Sequence, residues 1–291
     1  MKNAKKNNIF YEGEVFETDY NQKIVELLVK RKGLKRARKY MDFAIDRSSI
    51  FLDPLFKSLN KKHKNLKLLE VGCSSGHITE YIQKQSSIKE IYAYDVDHQM
   101  TEILKEKKKF LDLYKIKRID NFSSQESKEL PYENESFDIV LVFAVVEHLP
   151  FENRNLYVDE YYRVMKSGGL IAFFDTPNRH FPIERHSIGL PFVSRMPPEI
   201  AYIYTRLLLR KKFKDVSFIE FMRPGSGWRN SSYYELLPKS NQYLIEDVSE
   251  NYGYVSKNII YKFISWFFRC PQAFFVKNLN VIFKKIDNLE A

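Results

Sequence analysis

Apolar and polar positions along the 291-residue chain change period several times, and the changes mark its elements. Leu66, Leu68, Leu69 and Val71 form a short apolar run that reads as a buried strand. The pattern then breaks at Gly72, turns through Cys73-Ser74-Ser75-Gly76, and restarts at helical spacing with Ile78 and Ile82. Residues 91–96 read as a second strand, 100–113 as a charged helix with Ile103, Leu104 and Phe110 on its apolar face, and 116–122 as a third strand. The run FDIVLVF, Phe137–Phe143, is the clearest buried strand. A helix over 156–165 follows, which Ser167-Gly168-Gly169 is expected to stop, and then a fifth strand over 170–174 ending at Asp175. Residues 243–248 and 280–286 supply the last strands. Two helical patterns come first, over 20–34 and 37–59, the second expected to be interrupted near Asp53-Pro54.

The turn after the first buried strand is where the chemistry begins. A glycine has no Cβ to collide with a ligand, and the free N–H groups of the following helix start point at whatever lies there. From Gly72 the spacing is G-x-x-x-G, not the G-x-G-x-x-G that lets a pyrophosphate approach, which argues against NAD. Asp95 closes the second strand about 20 residues past the turn, where a carboxylate can accept both hydroxyls of a ribose. A glycine turn and a ribose acid without pyrophosphate glycines point to an adenosine ligand lacking a phosphate tail, of which S-adenosylmethionine is the common one.

These residues resemble the class I S-adenosylmethionine-dependent methyltransferases, in particular the small-molecule branch of ubiquinone-biosynthesis type. The matching pieces are EVGCSSG at 70–76, Asp95, LPYENESFDIVLVFAVVEHL at 130–149 and RVMKSGGLIAFFDTPN at 163–178. The resemblance implies an α/β fold with a doubly wound, Rossmann-like, seven-stranded, mostly parallel sheet. An N-terminal helical cap would occupy 1–64, the cofactor-binding core 65–180, a substrate loop or lid 181–240, and the last strands with an aromatic helix 241–291. It places Glu70, Gly72, Cys73, Ser74, Gly76, Asp95, Val96, Glu126, Phe143 and Ala144 around the cofactor, whose product is S-adenosylhomocysteine. In such proteins leading helices cover the cofactor, so Tyr40, Phe43 and Phe51 are candidates for the acceptor pocket. Ser74 stands where the family has its middle glycine, and Glu126 where it has an aspartate near the adenine. Some members carry an E-x-x-E-H metal pattern; its first acid falls on Ala144 here, so no metal is expected.

Three histidines are candidate general bases, because an imidazole titrates near working pH. His148 follows the fourth core strand, and His180 and His186 lie in a proline- and arginine-rich loop past the fifth, where Arg179, Glu184 and Arg185 can hold an anionic group. The expected reaction is in-line transfer of a methyl group to a hydroxyl of a small-molecule, sugar or other glycan, or lipid-linked acceptor. Two cysteines, Cys73 and Cys270, are too few for a disulfide framework.

The net charge of +10 is terminal: residues 1–64 hold 16 Lys/Arg and 8 Asp/Glu, and residues 254–291 hold 6 and 2. An RNA methyltransferase is the alternative this basicity suggests, but the fourth strand ends in FAVVEH instead of an Asn/Asp-Pro-Pro-aromatic tetrad, so a nucleic-acid partner is disfavoured. A binding protein that keeps the fold without catalysis is the alternative from another class. Residues 257–269 confine their polar positions to one stripe, Asn258, Lys262, Ser265 and Arg269, and are otherwise apolar or aromatic. Burial of this helix between the sheet and the insertion is the leading expectation, with peripheral contact on a membrane or a second copy as the other readings. The polar start of the chain and the charges within 259–276 predict a cytoplasmic protein, peripheral at most to the inner membrane face. The sequence leaves the oligomeric state open.

Overall fold

The computed structural model describes residues 7–42, 44–121, 129–184, 186–223, 225–240, 242–254, 259–269, 271 and 276–286. Glu126, Phe43, Arg185, Asn258 and Cys270 lie outside them. The chain divides into two units, residues 1–127 and 128–291.

The first unit opens with a hairpin that the sequence reading missed. Strands β1 (Asn7–Tyr11) and β2 (Glu14–Thr18) pair antiparallel about Glu12-Gly13, both at positive φ, the conformation a two-residue hairpin turn requires. Helix α1 (Gln22–Lys32) starts where the Asn21 side chain accepts from the Ile24 N–H, and α2 (Leu34–Asp42) follows Gly33. Helix α3 (Ala44–Lys62) runs through Pro54 without interruption. The lost backbone bond is outweighed by burial of Leu52, Leu55, Phe56 and Leu59, each at most 2% exposed.

Strand β3 (Leu66–Val71), helix α4 (His77–Gln83), strand β4 (Ile88–Tyr94), helix α5 (His98–Phe110) and strand β5 (Ile116–Asp120) then alternate, with β4 parallel to both β3 and β5. On α5 the buried stripe is Met100, Ile103, Leu104 and Lys107. Phe110, expected on that face, is exposed. Tyr20, Ile24, Val25, Leu28 and Val29 pack with Met100 and Ile103 in one apolar cluster, so the leading segment is held on α5.

The second unit contains β6 (Phe137–Phe143), α6 (Arg154–Val164), β7 (Met165–Pro177), β8 (Leu244–Asp247) and β9 (Asn278–Ile286). Their order is β6-β7-β9-β8; β7 is parallel to β6, and β9 is antiparallel to both its neighbours. Counted over both units the α/β core has the seven, mostly parallel strands expected. Gly168 and Gly169 do not stop a helix. Helix α6 ends at Val164, and the glycines sit in a register shift at the start of β7, where a Cβ on Gly169 would stand 2.8 Å from the Lys166 carbonyl oxygen.

Beyond β7 lies a small separate core of Ile188, Leu190, Val193, Ala201, Phe221 and Trp228. It is built by helices α7 (Pro198–Leu208), α8 (Arg210–Phe213) and α9 (Phe218–Met222). Helix α10 (Ile259–Phe268) contradicts the leading expectation for it: Phe263, Trp266, Phe267 and Phe268 are exposed, not buried under the insertion.

Candidate functional site

In the first unit the glycine turn is anchored from both sides. The N–H groups of Gly72 and Cys73 donate to the Tyr94 carbonyl at 2.8 and 3.0 Å, which ties the turn to the end of β4. Gly72, Ser74 and Gly76 all have positive φ. Ser74 adopts this conformation at a cost of order 1 kcal/mol that glycine would not bear. Gly76 is required twice over, since a Cβ there would also collide with Leu104.

Asp95 stands against this turn. One carboxylate oxygen accepts from the Ser74 N–H at 2.7 Å and the other from the Asp97 N–H at 2.8 Å. Each oxygen keeps a lone pair for a ribose hydroxyl. Burial raises the Asp95 pKa, and the two N–H donors counter it.

Glu70 is placed behind the turn. Its carboxyl accepts from Thr79 Oγ1 at 2.6 Å, joining β3 to α4, and burial pushes its pKa up to about 8. Cys73 is buried, its thiol pKa raised, and it is unpaired, whereas Val96 is exposed. The positive-φ turn, an acid bonded directly to it and Asn121 donating to the Asp95 carbonyl at 2.7 Å form a donor and acceptor set that fits a nucleoside. Tyr40 lies 5.3 Å from the His77 ring and Phe51 is half-buried on α3.

In the second unit, β6 ends at Phe143 and the chain turns at Ala144. Ala144 has positive φ, as does Asp175 near the end of the paired β7. Non-glycine residues held there mark stored strain, which concentrates at working sites. A short 3₁₀ turn over Val146–His148 follows. It buries Glu147, whose two carboxylate oxygens have no hydrogen-bond partner among the described residues; burial pushes its pKa up to about 8.

His148 Nδ1 lies 3.1 Å from the Gly225 carbonyl oxygen. A carbonyl only accepts, so Nδ1 carries the hydrogen and Nε2 keeps its lone pair. Burial and the neighbouring His186, whose ring centroid is 4.9 Å away, lower the His148 pKa.

The pairing of His148 with His186, 38 residues apart, has a visible cause. Glu184 is buried and accepts four backbone N–H groups, from His186, Ser187, Ile188 and Gly189, at 2.5 to 2.9 Å. That fixes the loop from which His186 projects. Gly227 leaves room for the ring: a Cβ there would stand 2.6 Å from His186 Cδ2.

Of the residues expected to hold an anion, Arg179 and Glu184 are otherwise engaged, and Arg185 lies outside the described residues. Glu184 organises the loop, and Arg179 makes a two-pronged contact with Glu235 at 2.8 and 2.9 Å. The His180 pKa is lowered by burial and by Arg195 and Arg179. Although no metal was expected, Glu147, His148 and His186 hold donor atoms all within 4.8 Å of one another, a set of the kind that takes a divalent cation.

The protonation of Glu147 gives a stability test. Its folded pKa of about 8 lies well above an ordinary glutamate, so its stabilisation is complete in acid and is lost as pH rises through about 8. Glu70 adds the same sign. Urea midpoints are expected to fall between pH 5 and 8, with each group adding up to about 1.4 kcal/mol per pH unit. Glu147→Gln is expected to remove its share; an unchanged slope would assign the dependence elsewhere.

The stretch that holds the glycine turn resembles known proteins. A family described as a methyltransferase domain matches residues 69–173, from β3 into β7. The matched stretch takes in the glycine turn, Asp95 and His148. It is 28% identical over 150 residues to demethylmenaquinone methyltransferase of Staphylococcus aureus, covering 51% of this chain and 57% of that one. It is 26% identical over 207 residues to ubiquinone biosynthesis O-methyltransferase of Coxiella burnetii, covering 67% and 76%. The chain thus spans little more than half the length of the first of these relatives. A solved Methanococcus maripaludis chain named as a putative S-adenosyl-L-methionine-dependent methyltransferase aligns at 15% identity over 90% of this chain and 95% of its own length, with a TM-score of 0.49.

Proposed function

We propose that this methyltransferase transfers a methyl group to a hydroxyl oxygen of a small-molecule, sugar or lipid-linked acceptor, with His148 as the base. The name of one relative, an O-methyltransferase of ubiquinone biosynthesis, favours an oxygen as the acceptor atom. When bound, the cofactor supplies an electrophilic methyl carbon on a sulfonium. The glycine turn and Asp95 hold its nucleoside end. His148, neutral and with Nε2 unprotonated, removes the acceptor proton as the oxygen becomes nucleophilic, and the Gly225 carbonyl supports the Nδ1–H as charge develops on the ring. The fixed orientation of this imidazole is the observation that carries the reading. No covalent enzyme intermediate is needed, and exclusion of water favours a reaction in which charge is neutralised.

A second reading follows from Glu147, His148 and His186 as a cation site, in which a bound metal and not the free imidazole lowers the acceptor's pKa. Chelation separates the two: the rate survives EDTA if His148 acts as a free base and is lost if the three residues hold a required metal.

Calorimetric titration with S-adenosylhomocysteine tests the cofactor assignment. Wild type is expected to bind in the micromolar range, and Asp95→Ala to bind about tenfold more weakly, the loss of one charge-assisted bond pair. Equal affinity in both would remove Asp95 from the site.

A further inference from the structure

The outer face of α7 is apolar where a helix facing water is ordinarily polar. Ile200, Ile203 and Leu207 recur at three- and four-residue spacing, forming one stripe, and are 55%, 58% and 74% exposed. Leu208 lies beside them at 57%. The opposite face is already satisfied: Ala201 and Thr205 are buried, and the Tyr202 ring packs on Phe218 and Phe221. The stripe is therefore not part of the core of Ile188, Val193 and Trp228. Single exposed apolar side chains are ordinary, but a contiguous row on one helix marks a contact surface.

Cations border the row. Arg206 lies on α7, Arg210, Lys211 and Lys212 on α8, and Lys214 just past it, all exposed. Residues 198–214 hold these five Lys/Arg against Glu199 alone, a net charge of +4. Helix α9, packed against α7, adds Ile219 at 83% exposed. The charge selects the occupant. A symmetric contact with a second copy would set this patch against itself, +4 facing +4. An anionic bilayer matches both parts, the apolar row entering the headgroup boundary and the cations meeting lipid phosphates. Among the described residues no helix is long and apolar enough to cross a membrane, so the contact lies in the plane of the interface. Elsewhere in the same unit α10 repeats the composition, with Phe263, Trp266 and Phe267 exposed, Lys262 within it and Arg269 just past its end.

We propose that the enzyme docks on anionic membrane surfaces through the outer face of α7, with the cations of α8 as its electrostatic partner. Docking there would bring the chain to acceptors dissolved in or tethered to the bilayer, whichever hydroxyl it methylates. The test is co-sedimentation of the full chain with vesicles of phosphatidylcholine and phosphatidylglycerol in roughly equal parts, and with phosphatidylcholine alone. Wild type is expected to partition to the anionic vesicles and to be released by salt. The double variant Ile203→Glu/Leu207→Glu, at exposed positions, is expected to keep its circular dichroism spectrum and lose partitioning by about tenfold or more. Arg210→Glu/Lys211→Glu is expected to weaken binding and flatten its salt dependence. Equal partitioning of wild type and the α7 variant would overturn the proposal, as would no preference for anionic over neutral vesicles. Loss of binding in Trp266→Glu alone would move the surface to α10, and a lipid-free dimer that the α7 variant dissolves would assign the face to a second copy.

Discussion

His148→Ala is expected to lower kcat by about 10²–10⁴-fold, the usual contribution of a positioned general base, while leaving S-adenosylhomocysteine affinity at the wild-type value. The expectation rests on two features that act together. The Nδ1–H is committed to the Gly225 carbonyl, which leaves Nε2 as the only nitrogen able to take a proton. Burial and His186 lower the ring's pKa, so the base form predominates at neutral pH. The sign of the pH dependence follows. The rate should rise with pH through a value below the ordinary imidazole range near 6.5 and be flat around neutrality. The measurement is S-adenosylhomocysteine release over pH 5 to 8, using a hydroxyl acceptor that the wild type turns over. If His186→Ala removes the acid limb and His148→Ala does not, the base is His186. If the rate of His148→Ala equals that of wild type, neither the base nor the ligand reading of this residue survives.

The sequence reveals what depends on local pattern. The buried strands show as unbroken apolar runs, and the glycine turn shows because a strand, two glycines and a strand-end acid occur at fixed spacing; in the structure the Ser74 N–H donates to Asp95. What local pattern misses comes from distant partners. Nothing near His148 announces His186, since their meeting depends on Glu184 folding its own loop and on the missing side chain of Gly227. Pro54 and Gly168-Gly169 read as breakers, yet burial carries α3 through the proline, and a strand irregularity absorbs the glycines. The hairpin over 7–18 carried a legible signal, alternating positions around Glu12-Gly13, that the polar residues before it obscured. Helix α10 shows the opposite failure. An aromatic composition looks buried by default, although nothing in a composition says whether a neighbour covers it.

Lys107→Met is expected to destabilise the first unit by about 3–5 kcal/mol, because it leaves a buried carboxylate without its cation. Pattern alone made Lys107 one more solvated charge on α5. In the fold it is fully buried, and its three ammonium hydrogens find three acceptors: Glu80 Oε1 at 2.8 Å, the Tyr20 hydroxyl oxygen at 2.9 Å and His77 Nδ1 at 3.4 Å. An ammonium has no lone pair, so His77 Nδ1 accepts and its hydrogen sits on Nε2. Burial and Lys107 together hold the His77 pKa down. Tyr20 in turn donates to Glu80 Oε1 at 2.9 Å.

This network links the start of the chain to α5 and to α4, the helix that opens at Gly76, so it braces the helix that follows the glycine turn. Urea denaturation should show a midpoint lower by roughly 1–2 M. Lys107→Met/Glu80→Gln should recover at least about 2 kcal/mol, because removing both charges costs less than stranding one. A double variant no more stable than Lys107→Met would place the energy in the packing of the lysine stem instead. Full stability of the single variant would show that Glu80 finds another partner.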